Sequence, residues 1–186
     1  MIRIFCLLGL FVISHTFSVA SAAERQSAGS PVADAIRTDT PSGLPVPRFV
    51  SLKSKKTNCR GGPSFDHPVR IVFVRAGLPL KVVAETMDHW RKVSDADGDR
   101  CWIHRSKLSG APTVLVLDDG VALRRAPFAS AKTRAHLGRG LIAKVHKSRD
   151  GWLQVSTGRA KGWAPQSAFW GGPQMAAESD EAAGAD

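Results

Sequence analysis

The sequence predicts an all-β protein made of two tandem copies of one small folding unit. Three observations carry that expectation. First, residues 49–172 state nearly the same pattern twice. Asn58-Cys59-Arg60-Gly61-Gly62-Pro63, Arg75-Ala76-Gly77-Leu78, Asp88-His89-Trp90 and Cys101-Trp102-Ile103 are answered by Ala122-Leu123-Arg124-Arg125-Ala126-Pro127, Gly138-Arg139-Gly140-Leu141, Asp150-Gly151-Trp152 and Gly162-Trp163-Ala164. Trp90 to Trp152 spans 62 positions and Trp102 to Trp163 spans 61; a near-constant period of small-domain size marks two copies of a unit. Second, short β-branched runs alternate with turn residues, as in barrels and sandwiches. Third, beyond the N-terminus no stretch has the period of a long amphipathic helix.

Taken in order, Met1-Ile2-Arg3 carries positive charge, Ile4 to Ile13 is almost wholly apolar, and Ala20-Ser21-Ala22 is small. That is a three-part secretory signal over residues 1–22, with cleavage expected after Ala22 and Ala20 as the alternative. Its apolar run is too short to cross a bilayer as a helix. Cys6 lies inside that run with no lipobox before it, so no stable membrane anchor is expected. The expected location is periplasmic or secreted. Residues 23–47 contain Pro31, Pro41, Pro45 and Pro47 without an apolar period, and read as a disordered or extended spacer.

The first unit is expected over 48–110, with strands at Val69 to Val74 and Leu78 to Ala84 broken by Arg75-Ala76-Gly77. Asp95-Ala96-Asp97-Gly98-Asp99 reads as a hairpin turn. A calcium loop of the EF-hand type needs Gly at its sixth position and a distal Glu. The second unit is expected over 112–172, with strands at Leu141 to Val145 and Trp152 to Val155 joined by a polar turn from Lys147 to Gly151. Residues 173–186 carry Glu178, Asp180, Glu181 and Asp186 with no base, and read as a disordered acidic tail.

Loss of the signal would leave Cys59 and Cys101, an even count in an oxidising compartment. One intramolecular bridge is expected; two buried free thiols are the alternative. A bridge closing about 40 residues stabilises by about 4 kcal/mol in the chain-entropy model, much of the stability of so small a unit.

Asn58, Arg60, Gly62 and Pro63 open a strand, Gly77-Leu78 precede the next, Trp90 and Val93 follow, and Trp102-Ile103, Ser106 and Leu108 close the unit. This order and spacing resembles the bacterial SH3-like (SH3b) domain, in two tandem copies covering about two thirds of the chain. The resemblance implies a small five-stranded β-barrel per copy, closed by a single 3-10 turn near Arg105 to Leu108 and near Gln166 to Phe169. It also implies binding of cell-wall peptides or proteins rather than catalysis. Ala122 and Ala126 depart from the pattern in the second copy, and Cys59 and Cys101 depart from it in the first. Both cysteines falling in one copy strengthens the case for a bridge.

Residues 48–173 hold 23 Lys and Arg against 9 Asp and Glu, which attracts anionic partners. In an envelope these are acidic wall polymers, lipid head groups or acidic proteins; export argues against nucleic acid. The candidate ligand-binding residues are Asn58, Arg60, Trp90, Trp102, Arg124, Trp152 and Trp163. Asn58 and Arg60 alternate with Cys59 and so share one strand face, although a turn-adjacent Asn often only bonds local backbone. The tryptophans either fill the core or rim, or form a platform for proline or sugar faces. Trp170 either caps the second unit or packs between the two.

Cys59 or Cys101 can be drawn with His67, His89 or His104 as nucleophile and base. Once both repeats are assigned no catalytic segment remains, so no enzyme is expected. The histidines lack clustered ligand spacing, and neither metal nor cofactor is expected. The expected function is a non-catalytic envelope module recognising peptidoglycan or its stem peptides; the alternative is a protein-protein interaction scaffold in the periplasm.

Overall fold

The structure, a computed structural model, describes residues 36–172. The expected signal peptide, the first part of the spacer and the acidic tail lie outside the described residues. All described residues fall within one compact unit, Ala33–Asp186.

Two antiparallel sheets of seven strands each make up the fold. The first contains β1 (Arg48–Leu52), β2 (Thr57–Arg60), β3 (Val69–Phe73), β4 (Pro79–Glu85), β5 (Trp90–Ser94), β6 (Arg100–His104) and β7 (Leu108–Ser109), in the order β3-β2-β6-β5-β4-β1-β7. The second contains β8 (Thr113–Val116), β9 (Val121–Arg124), β10 (Thr133–Leu137), β11 (Ile142–Arg149), β12 (Trp152–Ser156), β13 (Lys161–Pro165) and β14 (Phe169–Gly171), in the order β10-β9-β13-β12-β11-β8-β14. Each second-sheet label is the matching first-sheet label advanced by seven. The sequence repeat is therefore a repeat of topology.

Single 3-10 turns, Arg105–Lys107 and Gln166–Ala168, join β6 to β7 and β13 to β14, where the family resemblance places them. Two features differ from that pattern. Each copy has seven strands rather than five, the last formed where the chain leaving the 3-10 turn pairs back onto the first strand, as in Leu52↔Leu108. The strand order is also linear, so hydrogen bonding does not join the edge strands β3 and β7 into a closed ring.

Lys147, Ser148 and Arg149, expected in a turn, belong to β11, and the turn shrinks to Asp150-Gly151, with φ 46° and 73°. The polarity that suggested a turn is that of a strand end standing in solvent: β11 is mostly exposed after Val145. An Asp-Gly pair at positive φ matches the right-handed twist of a hairpin.

Alternation along the strands builds one core per sheet. Leu80, Val82, Val93 and Ile103 are fully buried in the first, with Cys59 and Cys101 beside them. Val114, Leu123, Leu153, Val155 and Ala164 fill the second. Cys59 and Cys101 are bonded, with Cα atoms 5.5 Å apart. Their repeat partners are Leu123 and Gly162, and a Cβ on Gly162 would stand 3.1 Å from the Leu123 Cβ. One copy joins these strands by Leu packed on Gly, the other by a covalent bridge.

Part of the segment read as a spacer packs against the first sheet. Arg37 and Val46 exchange backbone hydrogen bonds of 2.8 and 2.9 Å, and Val46 is buried in the core. The Ser42 amide donates to Glu85 Oε2 at 3.1 Å. Glu85 also pairs with Arg48 and, at 2.8 Å, with Arg91 Nε. Burial raises the Glu85 carboxyl, but the Ser42 amide and the two arginines outweigh it and hold the group below its usual range.

The two sheets meet directly. Phe49 and Trp170 contact edge to face with centroids 5.1 Å apart, which seats Trp170 between the copies. Arg75 Nη2 donates to the Gly140 carbonyl at 2.6 Å.

Candidate functional site

A cavity of about 290 Å³ opens on the first sheet where β2, the loop after it, β5 and the 3-10 turn converge. Three sequence candidates line it: Asn58, Arg60 and Trp90. Alternation on β2 buries Thr57 and Cys59 and turns Asn58 outward. Trp90 lies opposite His104 across β5 and β6, on the outer face rather than the core. It is nonetheless only 5% exposed, because the following contacts cover it.

The cover comes from a loop folded back by Arg60. Arg60 Nη1 donates to the His67 carbonyl at 2.7 Å, and its guanidinium carbon lies 5.7 Å from the Phe65 ring centroid. Ser64 Oγ meets His67 Nδ1 at 3.0 Å and accepts from the Asp66 amide at 3.1 Å. Gly62 admits the His67 ring, which a Cβ there would approach to 2.3 Å. Phe65 is thereby set edge-on to Trp90 at 4.9 Å and tilted against His104 at 5.8 Å.

The 3-10 turn supplies the opposite wall. His104 Nδ1 accepts from the Ser106 amide at 3.4 Å and meets Ser106 Oγ at 2.9 Å, while the Arg105 amide donates to the His89 carbonyl at 2.9 Å. Burial, then the charges of His89, Arg105, Arg91 and Lys107, pull the His104 pKa below its usual value. Positive charge comes from Lys56, Arg60 and Lys107, and no lining side chain is acidic. Thr57 also borders the cavity, but its side chain is buried on the inner side of β2.

The other sequence candidates fall elsewhere. Trp102 pairs with Arg60 across β6 and β2, half-buried beside the cavity but not lining it. Arg124, Trp152 and Trp163 belong to the second sheet, where Arg124 Nη1 donates to the Ala131 carbonyl at 2.9 Å, the counterpart of the Arg60 bond. There Ala122, Pro165 and Ala168 replace Asn58, His104 and Lys107, so the second copy keeps the loop brace but lacks the polar lining.

Phe65, His104, Lys56, Ser106 and Lys107 were not singled out as binding residues by sequence reasoning. Their signal was present in the exposed aromatic after Gly62-Pro63 and in the basic His104-Arg105-Ser106-Lys107 run. With Cys59 and Cys101 bonded, neither offers a thiolate. Asp95 Oδ1 accepts from the Asp97 and Asp99 amides at 3.1 and 2.9 Å, which makes that acidic stretch a capped turn. Among the described residues no group of His, Cys, Asp and Glu is arranged as metal ligands, and no helix is long and apolar enough to cross a membrane.

The family model described as Bacterial SH3 domain matches residues 53–110 and 118–171. The chain belongs to the bacterial SH3 domain family. Domains of that family are generally non-catalytic binding modules associated with the cell wall, and this chain carries two. No curated protein matches it. Among solved structures it is similar to NlpC2 from Trichomonas vaginalis, at 10% identity and TM-score 0.31, over 67% of this chain and 48% of that one. It is similar also to NlpC1 from the same organism, at 11% identity and TM-score 0.30, over 66% of this chain and 45% of that one. The chain thus spans less than half the length of either.

Proposed function

We infer that this protein is a non-catalytic envelope module whose first copy binds carboxylate-bearing peptides of peptidoglycan. The supporting observation is the lining of the first cavity: a Trp90 floor and Phe65 wall flanked by Lys56, Arg60 and Lys107, with no acid. The aromatic faces take the apolar part of a short peptide, and the cations take its carboxylates. Asn58 can both donate to and accept from peptide backbone. A volume near the lower end of ligand sites, about 300 Å³, suits a peptide stem better than a folded polymer.

The test is a backbone-amide NMR titration of the oxidised chain with soluble stem peptides. Saturable shifts at Thr57, Asn58 and Ser106 are expected, and Lys107→Ala should weaken them. Shifts absent there, or unchanged by Lys107→Ala, would overturn the assignment.

One observation favours the scaffold reading instead. β3 is an edge strand with Val69 and Val72 40% and 44% exposed, and an unpaired apolar edge is a place for strand addition by a protein partner. Amide shifts confined to β3 on adding envelope protein extract, with none from stem peptides, would select it.

A further inference from the structure

A second cavity, of about 270 Å³, lies on the other side of the 3-10 turn from the first. Trp90 floors one cavity, and Arg91, the next residue on β5, lines the other. Arg48 and Arg105 join Arg91 there, against apolar walls from Leu44, Phe49 and Leu108. The carboxylate facing these groups is Glu85, which pairs with Arg48 and Arg91. Three guanidiniums thus line the cavity, and the one carboxylate beside them pairs with two. Arg105 is exposed and has no salt bridge among the described residues, so the cavity carries uncompensated positive charge.

The described chain ends at Gly172, which lines a smaller adjoining cavity of about 160 Å³ with Phe49, Val50 and Gly110. Those last three residues also line the arginine cavity. The last described residue, Gly172, therefore lies beside the arginine cavity. Glu178 lies six residues beyond Gly172, a reach of up to about 20 Å in an extended chain. We propose that the Glu178–Glu181 segment of the tail docks in the Arg48–Arg91–Arg105 cavity and occupies it in cis. Glu178, Asp180 and Glu181 supply three carboxylates, with no base anywhere in 173–186, and carboxylates match guanidiniums in bidentate pairs. A short tether holds the segment at an effective concentration on the order of millimolar, so even a pairing of millimolar affinity is half-formed. Salt weakens it, because Arg105 is exposed and screened.

The test compares amide NMR spectra of the full chain and of a version ending at Pro173, at low ionic strength. The two should differ at Leu44, Arg105 and Gly110, and the difference should vanish in high salt. Glu178→Gln/Asp180→Asn/Glu181→Gln in the full chain should reproduce the truncated spectrum. A synthetic peptide of residues 173–186 added to the truncated protein should restore the shifts, and Arg105→Ala should weaken its binding about threefold, as for a partly exposed ion pair. Identical spectra at low salt would overturn the proposal. So would shifts confined to Asn58 and Ser106 at the first cavity, or shifts that survive the triple neutralisation. No wall ligand enters the experiment, so its failure leaves the reading of the first cavity standing.

Discussion

Phe65 and Trp90 meet edge to face with ring centroids 4.9 Å apart, yet Phe65 is 67% exposed and Trp90 only 5%. A loop residue thus shields a strand residue from solvent without belonging to either core. Phe65→Ala should lower stability by only about 1 kcal/mol, the scale of one aromatic pair, while uncovering Trp90. Denaturant unfolding and the emission maximum of the tryptophans check this: a small loss of stability with a red-shifted spectrum is expected. A loss above about 4 kcal/mol would place Phe65 in the core after all.

Arg60 and Arg124 each donate to the carbonyl seven residues ahead, His67 and Ala131. The shared bond makes both arginines loop braces first. Each Arg→Ala change should cost about 1 kcal/mol, as for one hydrogen bond. Only Arg60→Ala should also weaken peptide binding, because only its loop carries a cover for a polar cavity. Parallel unfolding and calorimetric titration of the two variants separate the roles.

Much of this was legible in the sequence, and the reason is local. The repeated Trp and Gly positions mark the same unit twice, and the two cysteines sit where Leu123 and Gly162 touch in the other copy. The cavity was less legible, because it depends on a loop folding back. Nothing within Gly61 to His67 says that Phe65 will lie over Trp90; that requires the Arg60 bond and the space left at Gly62. Trp102 and His104 alternate onto one face of β6, and which of them borders the opening depends on where the Phe65 loop lands. The buried Glu85 pair with Arg91 was hidden for a similar reason: it joins residues from adjacent strands and is tied to Ser42 in a segment whose composition resembles a linker.

The Cys59–Cys101 bond encloses 42 positions, and its loss should cost about 4 kcal/mol in the chain-entropy model. Cys59→Ala/Cys101→Ala should show that loss in urea unfolding at unchanged pH. A change below about 1 kcal/mol would mean that packing, not the crosslink, holds β2 to β6.

His104 has its pKa lowered below 6.5 in the folded state by burial and by neighbouring cations. A histidine with a depressed folded pKa contributes stability that is present above its unfolded pKa and is lost as pH falls through the folded value. Stability should therefore decline on acidification from neutral pH, and His104→Gln should flatten that decline. Thermal unfolding across pH 5 to 8 (about the range in which histidine titrates) checks the sign. A wild-type slope unchanged by His104→Gln would remove His104 from the account.

The central claim is that the first cavity binds cell-wall peptide, and co-sedimentation with purified, protein-free sacculi tests it most directly. The oxidised chain should pellet at low and moderate salt, Phe65→Ala and Lys107→Ala should stay largely in solution, and Arg124→Ala should pellet like the wild type. Failure of the wild type to pellet at either salt, or pelleting equally retained by Phe65→Ala and Lys107→Ala, would contradict it.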